Sequence, residues 1–285
     1  QLRIPLADGD VLTGELYRGE SPYVVLLFHG LTGSIESTYM ARSVLIAQKM
    51  GHSVLLANHR GCGNGQGLAR KPYHSGRGED LSEVVAFARK ILPDKKQIAI
   101  GFSLSANALL MLLAGVRGEH KPDFAMAVNG PLDLRACSDN LKIGLNRLYD
   151  YRFVQDCKKD IYYKQKKDFI KDSSRIPFWL HLEDIDRLYT APEGVFESAD
   201  HYDQVCSAAP HLEKITTPTF LLTAKDDPFI IWQSYMNGAQ NPNIQLHLEE
   251  YGGHLGYIAK TSLPHRFERW LDYATKKVIQ GFTSS

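Results

Sequence analysis

The stretch "AIGFSLSANALL", residues 99–110, decides the fold because an apolar strand-like run meets a buried helix-like run within it. Residues 97–102 are mostly apolar, and residues 104–116 are almost wholly apolar. Ser103 stands at the junction, where a nucleophile elbow would hold it on a strained turn between strand and helix. The alternative is a structural serine that caps the helix, since serine is a favoured N-cap residue.

The side chains around such an elbow must be small, because the strand and the helix approach closely. Gly101 satisfies this requirement two residues before the serine. The usual motif is Gly-x-Ser-x-Gly, and Ser105 replaces its second glycine, followed by the small Ala106. The added hydroxymethyl group costs about 1–2 kcal/mol of crowding. We therefore expect the elbow to survive.

Outward from this junction, strand-like and helix-like runs alternate along the chain. The runs that are nearly all apolar, as in strands covered on both faces, are 23–30, 53–59, 124–130 and 219–226. The helix-like runs are 36–50, 79–92, 104–116 and 264–279. This alternation predicts a mostly parallel sheet with helices on both faces.

Two further runs complete a predicted eight-stranded sheet. An Asp-Gly turn signal at Asp8 and Gly9 precedes the strand-like run 11–18, which predicts a hairpin at the start of the chain. Residues 244–251 alternate between apolar and polar side chains, as is typical of an edge strand.

One long segment interrupts the alternation. Residues 132–215 contain no strong strand-like run. An insertion of this length is usually an ordered cap rather than a structureless loop. We therefore predict a core formed by residues 1–131 and 216–285, with 132–215 as a helical cap or lid between the sixth and seventh strands.

An acid and a histidine should follow the serine in chain order if Ser103 is a nucleophile. His254 lies in "YGGHLGY", where the flanking glycines indicate a tight loop just past the last strand. The acid should come from "AKDDPFI", and Asp227 fits the frame set by Ala224 and Ile230. Asp226 could instead brace the loop by binding backbone amides, and simple turn chemistry could explain both aspartates.

Two backbone amides are needed to stabilise a developing oxyanion. The amide of Leu104, directly after the serine, supplies one candidate at the helix N-terminus. The amide of Leu31, in "FHGLTGS" (28–34), supplies the other, and the alternative is an ordinary glycine-containing turn. The glycine-rich stretch 59–67 is not a dinucleotide fingerprint, because no helix opens directly on it.

These residues together indicate acyl chemistry. His254 would take the proton from Ser103 as general base, while Asp227 would hold the imidazole tautomer. Ser103 would attack an acyl carbonyl, the amides of Leu31 and Leu104 would bind the oxyanion, and water would resolve the acyl-enzyme. A serine nucleophile is typical of ester, thioester or amide hydrolysis, or of acyl transfer.

The composition limits the other classes of function. A formal net charge of +1 provides no overall field for nucleic acid, and we expect no nucleic-acid partner. No apolar run approaches the length of a membrane span. Four widely spaced cysteines predict free thiols in a reducing compartment, and hence a cytoplasmic protein. We expect no cofactor and no metal, since His181, His211 and His247 lack ligand spacing.

A basic, amphipathic stretch lies inside the predicted cap. Residues 156–175 carry seven Lys or Arg and four Asp, so their net charge is +3, with apolar side chains interleaved. The stretch could make transient contact with an anionic lipid surface. The favoured alternative is a solvated helix whose apolar stripe covers the acyl pocket. The cap aromatics could line that pocket or form the cap's own core: Phe178, Trp179 and Phe196.

Seven short motifs resemble the α/β-hydrolase superfamily, and more narrowly the YheT-like hydrolases related to the eukaryotic ABHD lipases. In chain order they are "HGLTGSIES" (29–37), "NHRGCGNG" (58–65), "GFSLSAN" (101–107), "DLRACS" (133–138), "TAPEGVFESADHY" (190–202), "AKDDPF" (224–229) and "GGHLGYI" (252–258). The family usually has Gly-Gly where this chain has Ser105 and Ala106. The resemblance covers about residues 29–272.

The resemblance implies a carboxylesterase or lipase-like activity with Ser103, Asp227 and His254 as the catalytic residues. It also implies Leu31 and Leu104 as the oxyanion donors. The expected function is therefore cofactor-free hydrolysis of esters with short- to medium-chain acyl groups. The alternatives are a thioesterase or acyltransferase with the same residues, and a catalytically weak homologue that binds lipids or a partner.

Overall fold

The chain folds around one eight-stranded sheet, as shown by a computed structural model that describes residues 1–170, 177, 179–260 and 267–284. The strands are Leu2–Pro5 (β1), Val11–Tyr17 (β2), Tyr23–Phe28 (β3), Ser53–Asn58 (β4), Lys96–Phe102 (β5), Phe124–Val128 (β6), Thr219–Ala224 (β7) and Ile244–Glu249 (β8). Their spatial order is β1-β2-β4-β3-β5-β6-β7-β8. Within this sheet, the pairs β1–β2 and β2–β4 are antiparallel and the other five pairs are parallel. The predicted hairpin and the mostly parallel sheet are confirmed.

The register of the central strands brings their carboxyl ends to one level. Phe28 pairs with Gly101, and Phe102 pairs with Val128. The loops that leave β3, β5 and β6 therefore emerge side by side at one edge of the sheet. Ligands in open α/β sheets bind at this edge, beyond the carboxyl ends of the strands.

Helices cover both faces of the sheet because successive strand residues point to opposite sides. In β3, Val24 and Leu26 pack into one core and Val25 and Leu27 into the other. The helices Gly78–Ile91 (α2) and Leu104–Leu113 (α3) cover the first face, and Thr38–Lys49 (α1) and Trp270–Ser284 (α9) cover the second. Each fully buried Leu or Val contributes about 1.5–3 kcal/mol by leaving water.

The described residues between β6 and β7 are helical or irregular. The helices are Leu134–Leu141 (α4), Arg147–Lys166 (α5), Leu182–Ile185 (α6), Ala191–Glu193 (α7) and Ala199–Cys206 (α8), with a π-helical turn at Asp186–Thr190 and 3₁₀ turns at Gly144–Asn146 and Ala209–Lys214. A small core within this segment contains Val154, Ile161 and Ile185. The division of the chain at residues 132 and 215 into core and cap stays a prediction.

The predicted helix 264–279 is wrong in its first part. Residues 264–266 lie outside the described residues, and Phe267–Arg269 form a short strand (β10) that pairs antiparallel with Ile258–Lys260 (β9). The helix α9 begins only at Trp270 and continues to Ser284. Helical spacing could not reveal a strand whose partner lies several residues away. The predicted helix 104–116 also ends early, at Leu113, because Gly115 adopts a positive φ of 72°.

Within the described ranges, no helix combines the length and the apolarity needed to cross a bilayer.

A buried ion-pair cluster fixes the start of the chain against the sheet. Arg60 donates to Asp80 at 2.7 Å through two nitrogens, and to Asp10 at 2.5 Å and Asp8 at 2.9 Å. Asp10 also accepts the backbone amide of Arg70 at 2.9 Å. One guanidinium thus connects the first hairpin, α2 and the loop after β4.

We expect Arg60→Met to lower the free energy of unfolding by about 3–5 kcal/mol, because the change leaves buried carboxylates without their cation. The matched control is Arg42→Met, which removes the partly exposed pair between Arg42 and Asp272 and should cost about 1 kcal/mol or less. Urea unfolding of the three proteins checks this. If both variants lost the same small amount of unfolding free energy, the ion-pair cluster would not make the expected contribution to stability.

Candidate active site

Ser103 adopts the strained backbone that an elbow requires. Its φ is 52° and its ψ is −122°, in a region that side-chain-bearing residues rarely occupy. The residue lies directly between β5 and α3, and its side chain makes no capping hydrogen bond to that helix. The helix-cap interpretation of this serine is therefore wrong. Its hydroxyl group is left available for another partner.

Glycines allow the close approach around this turn. A Cβ atom at Gly101 would lie 2.7 Å from the carbonyl oxygen of Ser105, and one at Gly30 would lie 2.9 Å from the Cβ of Ser103. Both distances are far below van der Waals contact. Ser105 itself is tolerated because its hydroxymethyl group is buried among hydrogen-bond partners.

Ser103, His254 and Asp227 form a continuous hydrogen-bonded row. The Nε2 atom of His254 lies 3.0 Å from Ser103 Oγ, and its Nδ1 atom lies 2.9 Å from Asp227 Oδ2. A proton on Nδ1 satisfies the carboxylate and leaves Nε2 free to accept the serine proton. The side chain of Asp227 is fully buried, whereas that of His254 remains partly accessible.

The two neighbouring aspartates have different partners. Asp227 Oδ1 accepts the backbone amides of Phe229 at 3.2 Å and Ile230 at 3.1 Å, which fixes its carboxylate beneath the imidazole. Asp226 instead accepts the amides of Gly252 at 2.7 Å and Gly253 at 2.8 Å. The structure therefore brings Asp227 to His254, while Asp226 braces the loop that carries the histidine.

Asn129 is a member of this site that the sequence analysis missed. Its Nδ2 donates to Asp227 Oδ2 at 2.6 Å and to the carbonyl of Gly253 at 3.3 Å, and its Oδ1 accepts the hydroxyl of Tyr257 at 2.6 Å. The residue is fully buried and has a φ of 48°. The available signal was a polar residue directly after the buried run 124–128, at the sheet edge that also carries Ser103.

Leu31 and Leu104 carry the two predicted oxyanion donors. Both residues line the cavity that contains Ser103. Among the described residues, neither amide has a hydrogen-bond partner. Unpaired N–H groups beside a serine hydroxyl are the arrangement that can stabilise an oxyanion.

The cavity above the serine has a volume of about 380 Å³. Part of its wall comes from the helical segment after β6, through apolar side chains that include Leu134, Leu141, Phe153 and Ile185. Phe229 also lines it, and its ring centroid lies 4.3 Å from that of His254. The space beside Ser103 therefore has an extensive apolar surface.

Two of the cap aromatics named in the sequence analysis, Trp179 and Phe196, do not line this cavity. Phe196 packs behind the cavity wall against His74 and Tyr202, in a small apolar cluster that matches the cap-core interpretation. Trp179 is 70% exposed. Phe178 lies outside the described residues. The aromatic side chains that do line the cavity are Tyr73, Phe153, Tyr189, Tyr202 and Phe229.

The basic stretch 156–175 is described as far as residue 170, and residues 171–175 lie outside the described ranges. Ile161 and Ile170 are buried in the small core of the helical segment, and Phe169 is half-buried. Asp156 and Asp160 line the cavity instead. The apolar stripe thus packs within its own segment, and three of the charged side chains line the cavity: Asp156, Lys159 and Asp160.

Other nucleophiles in the cavity are held in an unreactive form. Cys62, Cys137 and Cys157 line it as free thiols. Burial raises the pKa of Cys62 and of Cys137 to about 12, and it also raises the pKa of Cys157. Because the thiolate is the reactive species, Ser103 remains the nucleophile that the geometry favours.

Metal ligation has no basis in the described part of the chain. No group of three or more His, Cys, Asp or Glu side chains there could hold a metal ion. His181 instead bonds Asp150 through Nδ1 at 2.5 Å, and His247 bonds Glu249 at 2.7 Å.

Comparisons with known proteins agree with this architecture. A family model described as the alpha/beta hydrolase fold matches residues 23–121. The chain is 31% identical to YheT of Escherichia coli (strain K12), named as a candidate esterase, over 95% of this chain and 81% of that protein. It is 25% identical to the phospholipase ABHD3 of Homo sapiens, over 99% of this chain and 69% of that protein.

A solved structure extends the comparison to three dimensions. The chain superposes on the Pyrococcus furiosus esterase Pf2001 with a TM-score of 0.63 at 17% identity, covering 98% of this chain and 90% of that one. The predicted α/β-hydrolase fold and the resemblance to YheT-like hydrolases are confirmed.

Two carboxyl groups at the cavity wall have raised pKa values. Burial raises the pKa of Asp186 to about 7, against a hydrogen bond from Thr190. Burial also raises the pKa of Asp203 to about 7, against the charge of Arg135. Both aspartates line the cavity.

We expect Asp186→Asn to stabilise the protein relative to wild type more at pH 8 than at pH 5. A carboxyl group with a raised folded-state pKa stabilises the fold when protonated, and that contribution is lost as the pH rises towards 7. Between the two pH values, the free energy of unfolding of the variant relative to wild type should change by about 1–2 kcal/mol. This is less than the full pKa shift implies, because the side chain of Asp186 is partly accessible at the cavity. Urea unfolding at both pH values measures it. The control is the exposed Asp94→Asn, and a pH-independent difference for Asp186→Asn would contradict the raised pKa.

Proposed function

The chain is a hydrolytic enzyme of the α/β-hydrolase family, and we propose that it cleaves carboxylic esters of short- to medium-chain acyl groups through an acyl-enzyme on Ser103. The observation that carries this proposal is the hydrogen-bonded row from Ser103 through His254 to the buried Asp227. The strained serine backbone and the two unpaired amides beside it support the same chemistry.

In the proposed mechanism, Ser103 Oγ attacks the ester carbonyl while His254 Nε2 takes its proton. Asp227 stabilises the imidazolium that forms, and the amides of Leu31 and Leu104 bind the tetrahedral oxyanion. The protonated His254 then protonates the leaving alkoxide as the carbonyl re-forms. A water molecule, deprotonated by the same histidine, attacks the acyl-enzyme and releases the carboxylic acid.

The cavity supports an apolar acyl group as the substrate. Leu134, Leu141 and Phe153 line it with aliphatic and aromatic surface. A volume of about 380 Å³ lies at the lower end of the usual range for small-molecule sites. This size favours short to medium acyl chains.

We expect a fluorophosphonate probe to label the wild-type protein, not to label Ser103→Ala, and to label His254→Ala much more slowly. Asp227→Asn should lower kcat for a p-nitrophenyl ester by about 10³- to 10⁴-fold, since the wrong imidazole tautomer is then favoured. Asp226→Asn is the matched control because its carboxylate binds the backbone amides of Gly252 and Gly253 and not His254. That control should lose less than tenfold.

These measurements, together with acyl-transfer and thioester assays, distinguish the proposed esterase from each alternative function. A folded wild-type protein that does not label would contradict the esterase and favour the lipid- or partner-binding homologue. A labelled protein whose acyl-enzyme transfers to an added alcohol in preference to water is an acyltransferase. Faster turnover of an acyl thioester than of the matched oxoester would indicate a thioesterase.

We further propose that the enzyme meets its substrate at a lipid surface, through the exposed apolar side chains of the stretch 143–151. Leu145 is 82% exposed and Leu148 is 69% exposed, and Ile143 and Tyr151 are also exposed. Helix α5, which contains most of this stretch, has six basic and three acidic side chains and a net charge of +3. Phe153, less than one turn beyond it, lines the cavity, so the stretch lies where an acyl chain could pass from lipid to Ser103.

We expect the double variant Leu145→Ser/Leu148→Ser to bind anionic phospholipid vesicles at least fivefold more weakly in a sedimentation assay. Hydrolysis of a water-soluble short ester should be unchanged, because neither side chain lines the cavity. The matched control, Leu45→Ser/Val116→Ser, removes two exposed apolar side chains from other surfaces. Equal vesicle binding by all three proteins would contradict the proposal.

A further inference from the structure

Ser105, which replaces the usual glycine of the motif, is fully buried and joins three segments of the chain. Its hydroxyl group contacts the carbonyl oxygen of His29, and it lies 2.6 Å from His59 Nε2 and 3.1 Å from the hydroxyl of Tyr73. These partners belong to the loop after β3 and to the loop after β4. The departure from the family motif is therefore a connection from the elbow helix to both loops.

Hydrogen-bond chemistry fixes the direction of the contacts of Ser105 with His29 and His59. The carbonyl of His29 can only accept, so Ser105 donates its single proton there. His59 must then donate to Ser105 from Nε2, which makes it the neutral Nε2–H tautomer. Its ring stacks on Tyr73, with centroids 3.9 Å apart and an interplanar angle of 5°. Tyr73 adds a second donor to the same carbonyl at 3.3 Å.

The next peptide group carries one of the proposed oxyanion donors. The carbonyl of Gly30 and the amide of Leu31 belong to the same peptide. That carbonyl accepts from His29 Nδ1 at 2.8 Å and from the amide of Gly33 at 3.2 Å. Because a trans peptide directs its C=O and N–H to opposite sides, these bonds aim the Leu31 amide away from the His29 ring.

The preceding peptide is held at both of its polar groups. Ser105 and Tyr73 donate to the carbonyl of His29, and the amide of Gly30 donates to the hydroxyl of Tyr39 at 2.9 Å. The imidazole of His29 is itself oriented, since its Nε2 accepts the backbone amide of His59 at 3.1 Å. Both peptides before Leu31 are thus restrained in rotation.

We propose that Ser105 and His59 are positioning residues that hold the His29–Gly30–Leu31 backbone so that the Leu31 amide points at the oxyanion formed on Ser103. The inference rests on the proposed function, because it assigns a role in that same reaction. Neither residue contacts the reacting atoms. They act through the carbonyl and the imidazole of His29.

The surroundings keep this hydrogen-bond network in one protonation state. Burial lowers the pKa of His29 to about 4, and burial together with the nearby His29 lowers the pKa of His59 well below its usual value. Burial also raises the pKa of Tyr73 well above its usual value. The donors and acceptors therefore stay the same across the pH range in which His254 would work.

Replacing Ser105 by Ala and by Gly separates positioning from crowding. Ser105→Ala removes the hydroxyl and keeps the Cβ, whereas Ser105→Gly restores the usual motif. We expect both variants to lose kcat by about tenfold for a p-nitrophenyl ester with little change in KM. The loss is smaller than the 10²- to 10³-fold effect of deleting a whole oxyanion donor. If the hydroxyl merely crowds the elbow, Ser105→Gly will equal or exceed the wild-type rate and overturn the proposal.

A transition-state analogue distinguishes a positioning role from general destabilisation of the protein. Only a positioning role would change the inhibition constant and kcat/KM by the same factor. A trifluoromethyl ketone adds to Ser103 and forms a hemiketal oxyanion that needs both amide donors. Its inhibition constant should rise by the same factor by which kcat/KM falls, while the affinity for the corresponding alcohol, which forms no oxyanion, stays constant. Ser82→Ala, a buried serine on α2 that binds loop amides, is the matched control and should change none of these constants.

His59 provides a second, independent test if the Ser105 variants unfold. His59→Gln can still donate to Ser105 from its side-chain amide and should keep most of kcat, whereas His59→Leu cannot and should lose about tenfold. Equal activity of the two would overturn the proposal. A wild-type protein that neither labels with fluorophosphonate nor hydrolyses esters would instead contradict the proposed function itself, which the same assays reveal first.

Discussion

The left-handed backbone of Ser103 is the constraint on which the rest of the site depends. Such a conformation costs about 1–3 kcal/mol for a residue with a side chain, so the surrounding structure must impose it. The amide of Ser103 is held by the carbonyl of Val128 at 2.8 Å, and its carbonyl by the amide of Ala106 at 2.8 Å. With β5 buried in the middle of the sheet and most of α3 inaccessible to solvent, no neighbouring element can shift to relieve the turn.

The electrostatics of the site follow from the same sheet edge. Asp227 is a fully buried carboxylate, and a buried charge is tolerated only when hydrogen bonds replace its hydration. The amides of Phe229 and Ile230, the side chain of Asn129 and the ring of His254 supply those bonds. Three of these partners come from the loops after β6 and β7, which end side by side because those strands are parallel neighbours. The hydrogen-bond partners of Asp227 are therefore supplied largely by loops that the parallel sheet already brings together.

Much of this arrangement could be predicted because it is encoded locally. The junction at 97–116 contains its strand, its serine and its helix in consecutive residues, and glycines around His254 indicate a tight loop without knowledge of the fold. What could not be predicted is encoded by contacts across the chain. In the sequence, Asn129 is simply a polar residue that follows a strand. In the structure, its Nδ2 lies 2.6 Å from Oδ2 of Asp227, a residue 98 positions further along the chain. The pairing of β9 with β10 and the exposure of Leu145 are likewise decided by tertiary packing rather than by spacing.

Ser105 shows why a motif departure must be interpreted with its partners. As an isolated change from glycine, it adds volume where strand and helix already touch, which argues for a weakened elbow. Its hydroxyl group nevertheless lies between His59, Tyr73 and the carbonyl of His29, where it completes a network that a glycine would leave one donor short. A buried carbonyl that loses a donor costs about 1–3 kcal/mol, comparable to the crowding that a serine introduces. The serine and the two aromatic side chains are therefore one structural unit, and a glycine at 105 would leave Tyr73 as the remaining side-chain donor to the carbonyl of His29.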